Sequence, residues 1–230
     1  MEDASLLSIQ VGRIAPLGRD AIPSAFIKHR AEGPVAVGLL GLAGDEQADL
    51  KDHGGRGKAV YGYDAAHYLA WCDEYPEHLA TFVAGGVGEN LTISGVSEAS
   101  ICVGDIHSIG SATLQVCQPR QPRFKLALRF GDNRLPKAMV RNGRAGWYYR
   151  VVETGIIQAG ESVMCIARPH PHFSFERLVE IVNFRTAGRD GRSASDICRR
   201  VLGNELLLTC RPRTASSPRG SFTPLLPATT

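Results

Sequence analysis

The chain has 230 residues, 43% of them apolar and 21% charged, proportions that suit one soluble globular domain or one domain with a small appendage. No apolar run approaches the ~20 residues of a membrane-crossing helix, and the acidic start Met1-Glu2-Asp3 lacks the basic opening of an export signal. The net charge of +3 divides into −2 over residues 1–184 and +5 from Arg185 onward, which argues against nucleic acid as a partner of the main body.

In chain order, the first two-thirds reads as short strands with Gly-rich corners. Leu6 to Ile14 and Val35 to Leu42 are apolar β-type stretches, separated by a polar segment that holds Pro23, Lys28 and His29. One helix interrupts them: Asp64 is placed to cap Ala65 to Tyr75, with Tyr68, Leu69 and Cys72 at helical spacing and Pro76 as the stop. Three short strands follow at Ile101 to Val103, Ile106 to Ile109 and Thr113 to Cys117, parted by Gly104-Asp105 and Gly110-Ser111. Leu135 to Val140 suits a brief helix, and Trp147 to Val152 and Ile156 to Ala167 return to strand. Strands this short and this closely spaced predict a mainly β fold with some α, a barrel or a sandwich, where closure removes the exposed edges.

After Arg168 the character changes. Pro169-His-Pro-His172 is a stiff connector, and Ser174 caps a helix over Phe175 to Phe184 whose Leu178, Val179 and Val182 share a face. A second helix is expected over Ala194 to Leu202, with Gly203 as its stop. Residues 209–230 contain four Pro and eight Ser/Thr, a composition without a core. The organisation expected is a β domain over 1–168, a helical segment over 169–203 and a disordered tail over 204–230. The six cysteines form no Cys-x-x-Cys pair, so a sequence-local zinc clip is not expected and reduced thiols in a cytoplasm are.

Two segments concentrate polar chemistry. Gly41-Leu-Ala-Gly-Asp45-Glu46-Gln-Ala-Asp49 leads into His53-Gly-Gly-Arg56-Gly-Lys58, a Gly-flexed loop with cations beside acids. Gln118-Pro-Arg120-Gln-Pro-Arg123-Phe-Lys125 places three cations in six residues on a Pro-fixed strand exit, suited to a phosphate or carboxylate. Gly88-Glu89-Asn90-Leu91 adds a turn with hydrogen-bonding side chains. Each alone also reads as a solvated surface loop. His67, Tyr68 and Trp71 read as a helix face packed on the sheet, and Trp147 as core.

Taken in order, these segments resemble the MOSC domain family. The resemblance covers about residues 8 to 184 and rests on Gly41-Leu-x-Gly-Asp-Glu-Gln-Ala, His53-Gly-Gly-x-x-Lys-Ala, Tyr63-x-x-x-His67-Tyr68-x-x-Trp71, Gly88-Glu-Asn-Leu and Gln118-Pro-Arg-x-Pro. It implies a β-barrel-like domain with a helical C-terminal piece, and binding of the molybdenum cofactor (molybdopterin), whose pterin ends in a phosphate. Pyridoxal phosphate is a further anionic ligand the family suggests. Lys28, His53, Lys58, Asn90, Arg120 and Lys125 become the cofactor-binding candidates. The implied reaction is reduction of a small N-hydroxylated base such as 6-N-hydroxylaminopurine to the amine, with electrons from a separate reductase. A carrier that holds the cofactor without turnover is the alternative, and a non-catalytic module with a nucleic-acid-binding tail a third.

The family pattern continues Gln-Pro-Arg-x-Pro-Cys, with that Cys the expected thiolate ligand of the metal, whereas this chain has Arg123. A guanidinium has no acceptor and cannot coordinate a metal. Cys117, six residues earlier, shares a face with Thr113 and Gln115 by strand alternation and replaces that ligand only if this face lines the pocket, the competing reading being an inert, partly buried thiol. Arg123 and Cys117 are the two catalytic candidates. No metal ligand is assigned beyond them.

Overall fold

The structure, a computed structural model, describes residues 4–49 and 54–184. It contains the strands β1 (Ser5–Val11), β2 (Ala15–Leu17), β3 (Ile22–Ser24), β4 (His29–Arg30), β5 (Val35–Gly38), β6 (Gly41–Leu42), β7 (Val60–Asp64), β8 (Leu91–Ser94), β9 (Ile106–Ile109), β10 (Ala112–Pro119), β11 (Trp147–Glu153), β12 (Gly155–Ile157) and β13 (Val163–Ala167). The helices are α1 (Ala66–Glu74), α2 (Phe124–Phe130), α3 (Arg134–Asn142) and α4 (Phe175–Phe184). The fold is mainly β with some α. No helix among the described residues is long and apolar enough to cross a membrane.

Eight strands form one sheet in the order β13-β9-β10-β11-β7-β8-β1-β4, flanked by β12-β5-β6 and the hairpin β2-β3. Seen from its ladders this is an open order with β13 and β4 at the ends. The sheet nonetheless curls back on itself. Leu6 N donates to Glu161 O at 2.9 Å and Val163 N to Ala4 O at 2.8 Å, so β1 meets the chain entering β13. The seam is a single bridge, Ser5 with Ser162. At the β9–β10 turn Gly110 (φ 53°) has no room for a side chain, because a Cβ would lie 2.4 Å from the Ile156 carbonyl oxygen.

One pairing departs from the meander. β7 and β8 run parallel, and a parallel pair needs a crossover, which the segment containing α1 supplies. All five residues of β7 are buried, as expected for a strand covered on both faces. On one face Val60 joins the main core of Leu6, Ile9, Leu91, Ile93, Leu114, Trp147 and Tyr149. On the other, Tyr61 and Tyr63 join Tyr68 and Trp71 of α1, Leu126 and Phe130 of α2, and Leu135 and Met139 of α3.

The expected helices α1 and α3 form with small changes of boundary. Asp64 Oδ1 accepts from Ala66 N at 3.0 Å, satisfying one of the orphan donors at the start of α1. α4 forms over the expected residues, Ser174 Oγ accepts from Arg177 N at 3.2 Å, and Phe175, Leu178 and Val179 enter the main core. Three expectations fail. Ile101 to Val103 is not a strand and makes one bridge, Cys102 with Ser174. The stretch Ile156 to Ala167 breaks between β12 and β13. Residues 124–126, read as part of a strand exit, instead begin the helix α2, which is ended by Gly131 in the left-handed region. The second C-terminal helix and the tail over 204–230 lie outside the described residues.

Candidate functional site

The site is built from the acidic loop inward. Asp45 follows β6 and is anchored by three neighbours. Gly12 N donates to its Oδ1 at 2.7 Å, Asn90 Nδ2 donates to its Oδ2 at 2.9 Å, and Lys28 makes an ion pair with it. The Lys28 and Asp45 side chains are only 7% and 5% exposed. Burial pushes the Lys28 ammonium down from its usual range while Asp45 pulls it up. Glu46 is stapled beside it, accepting from Ile14 N at 2.7 Å and Arg13 Nη1 at 3.1 Å. The Ile14 N–H first, then Arg13, holds the Glu46 carboxyl below the ordinary range.

Two of the sequence candidates have scaffold partners here. The charge of Lys28 is matched by Asp45, in a pair that fixes the loop. The side chain of Asn90 bonds the scaffold at both of its polar atoms. Its Oδ1 accepts from Tyr61 N at 3.1 Å, and its Nδ2 donates to Gln10 O at 3.1 Å as well as to Asp45. Asn90 thereby ties β1, β7 and the acidic loop together at one point.

The cations of the Gln118–Lys125 segment stand across from this scaffold. Arg120 is buried, its guanidinium carbon 5.2 Å from the Tyr61 ring centre and 5.5 Å from that of Phe26. Burial raises the Tyr148 hydroxyl pKa, and the charge of Arg120 pulls it down. Gly88 (φ 85°) allows Phe26 to sit there, since a Cβ at Gly88 would lie 3.1 Å from the Phe26 ring. Arg123 is exposed at the residue preceding α2, with extended backbone (φ −129°, ψ −168°). Lys125 follows on the first turn of α2. Its position as a helix residue was hidden in the sequence by Pro119 and Pro122.

Together these groups line a cleft of about 120 Å³. Lys28, Lys58, Asn90, Arg120, Arg123 and Lys125 all line it, so six of the expected site residues, scattered over nearly a hundred positions, converge. The wall also includes Phe26, Tyr61, Phe124 and Tyr148, aromatic residues the sequence reading did not assign to a site, and the acids Asp45, Glu46 and Asp49. Phe26 and Tyr148 carry no local motif that would have marked them. His53 lies outside the described residues.

Cys117 does not line the cleft. It is fully buried, and its Sγ donates to Gln115 O at 3.3 Å. The β10–β11 register shifts between Val116 and Gln118, so Cys117 is the extra residue of a bulge. Strand alternation, which had put Cys117 on the face of Thr113 and Gln115, does not carry through a bulge. Among the described residues the cleft has no thiol, and Arg123 occupies the place where the family pattern has one.

Just beneath the cleft, Glu89 is completely buried. Its Oε1 accepts from Tyr68 OH at 2.5 Å, Gly85 N at 2.6 Å and Thr92 Oγ1 at 2.9 Å, while Oε2 has no partner among the described residues. Burial raises its pKa against the pull of those three donors.

A profile of the MOSC domain matches residues 49–164. The chain is 38% identical over 183 residues to a protein of Gibberella moniliformis named Reductase, covering 78% of this chain and 32% of that protein. It is 40% identical over 146 residues to the protein YiiM of Escherichia coli, covering 64% of this chain and 65% of that one. The chain therefore spans less than two thirds of the length of both. The crystal structure of YiiM from Geobacillus stearothermophilus superposes with a TM-score of 0.69 at 28% identity, covering 89% of this chain and 99% of the other.

Proposed function

The chain belongs to the MOSC domain family, and from that premise we propose that it is an oxidoreductase-type protein whose cationic cleft holds an anionic, phosphate-bearing cofactor of the molybdenum-cofactor kind. The observation that carries this reading is the convergence of Lys58, Arg120, Arg123 and Lys125 on one cleft walled by Phe26, Tyr61 and Tyr148. Cations suit a phosphate, and aromatic faces suit a flat heterocycle such as a pterin or a purine. The name Reductase borne by one relative favours a redox role. The substrate class proposed is a small N-hydroxylated base, with a separate reductase as electron donor.

The residues fit one part of that cofactor and not the other. Arg120, held rigid against its rings, offers a fixed fork of donors to an oxyanion. Lys58 and Lys125 add charge nearby. A metal centre, however, finds no thiolate among the described lining residues, and Arg123 brings positive charge where one is expected. No electron-transfer step through a protein-ligated metal follows from this arrangement.

That mismatch favours a second reading, in which the chain retains or delivers the cofactor without turning over substrate. Metal and pterin content of protein from a cofactor-producing host, measured beside Arg123→Cys, separates the two. Near-stoichiometric molybdenum in the unmodified chain supports the oxidoreductase. Pterin without metal there, and metal in the variant, supports the carrier. Absence of pterin from both overturns the cofactor assignment.

A further inference from the structure

Asp105, His107 and Cys165 bring a carboxylate, an imidazole and a thiol together, with their donor atoms all within 4.8 Å of one another. None of the three lines the cleft. The backbone explains the meeting. Asp105 and His107 flank Ile106 at the start of β9 and share a face, and Cys165 of β13 is in register opposite His107.

Each of the three side chains keeps a donor atom for an ion, with the Arg168 guanidinium on Asp105 as the group to be displaced. His107 Nδ1 is engaged by the Tyr149 hydroxyl at 2.9 Å, which fixes the ring and leaves Nε2 for coordination. Asp105 Oδ2 accepts from Cys102 N and Arg168 Nη2, both at 2.8 Å, whereas Oδ1 accepts only from Arg168 Nε at 3.0 Å. A second lone pair on Oδ1 is therefore open among the described residues. Cys165 is exposed, which gives access from solvent, and its Sγ donates weakly to Ala167 O at 3.5 Å. That contact is given up when the thiol ionises. Arg168 is itself exposed enough to move aside, at 40%.

We propose that Asp105, His107 and Cys165 form a binding site for a borderline-soft divalent cation of the zinc type, separate from the cofactor cleft. One oxygen, one nitrogen and one sulfur donor suit such an ion and not magnesium or calcium, which take oxygen ligands. Three protein ligands leave a fourth position for solvent. The comparable cluster of Glu77, His78 and Asp132 differs in offering no sulfur donor.

The test uses the full chain, stripped with a chelator and titrated with Co²⁺. Coordination of Cys165 gives a near-ultraviolet thiolate-to-cobalt band that saturates near one equivalent and is displaced by Zn²⁺ but not by Mg²⁺. Cys165→Ser, an exposed change that leaves the core alone, is expected to abolish the band. His107→Gln is expected to weaken Co²⁺ binding at least tenfold, with circular dichroism checking that the buried variant folds. Absence of a near-ultraviolet band in the unmodified chain, or a band that survives in Cys165→Ser, overturns the proposal.

Discussion

The Arg120 guanidinium lies 5.2 Å from the ring centre of Tyr61, the residue whose backbone N–H is held by Asn90. A cation aimed at the cleft is thus positioned by a strand that is itself pinned to the acidic loop. The pairing makes Arg120 the cation whose replacement is most informative. Arg120→Lys keeps the charge and loses the planar fork and the stacking, an effect of about 1 kcal/mol or more in a desolvated setting. Calorimetry with pyrophosphate as the probe is expected to show weakening of roughly tenfold, against a small change for Lys125→Arg.

Lys28 and Asp45 form a buried pair, and the cost of breaking it falls on the partner left behind. Lys28→Met is expected to destabilise the fold by roughly 3–5 kcal/mol in urea unfolding. Combining it with Asp45→Asn should recover part of that loss. If the double variant is as unstable as the sum of the singles, the pair is not coupled as described.

Glu89 supplies the pH prediction. Its pKa is raised in the folded chain by burial, so the native state binds its proton more tightly than the unfolded chain does. By linkage the stabilisation is complete below the unfolded carboxylate pKa and is lost as pH rises through the raised value. Glu89→Gln keeps an acceptor for Tyr68, Gly85 and Thr92 and cannot ionise. Its stability relative to the unmodified chain should therefore improve steadily from pH 4 upward, measured by urea midpoints across that range.

Cys117→Ser tests the alternative metal ligand. A side chain buried in a bulge away from the cleft predicts a modest loss of stability, about 1–2 kcal/mol, and unchanged retention of pterin. Emptying of the site by this substitution would return Cys117 to the metal.

Much of this arrangement was legible in the chain itself, and its failures have physical causes. Period-2 and Gly-turn signals located most strands, and Ser174 marked the start of α4 because capping is a local rule. Lys58, Arg120, Arg123 and Lys125 were found by type and motif, since cations in Gly- or Pro-rich segments carry their own signal, whereas Lys28 was named through the family resemblance and Asn90 through its polar turn. The missed helix α2 was inscribed in Leu126, Ala127 and Phe130 with Gly131 as its stop, but two prolines just before it pointed to a loop. Phe26 and Tyr148 could not be found, because an aromatic ring facing a cleft looks in sequence like one facing the core. Cys117 is the buried thiol of its competing reading, and only its face was misplaced: alternation predicts faces while the register holds, and β10 breaks register there. The scaffold partners of Lys28 and Asn90 were not legible, because they lie far along the chain.

The seam between β1 and residues 160–163, with Phe175 seated in the main core, has a consequence for synthesis. The strand made first finds this neighbour only after some 150 further residues have been added, and its core is not sealed until α4 emerges. Such long-range closure makes for slow folding. While the ribosome is still at work, the nascent β1 has apolar Leu6 and Ile9 exposed to solvent and to passing chaperones. Premature termination before Phe175 is therefore expected to give an aggregating fragment rather than a smaller folded protein.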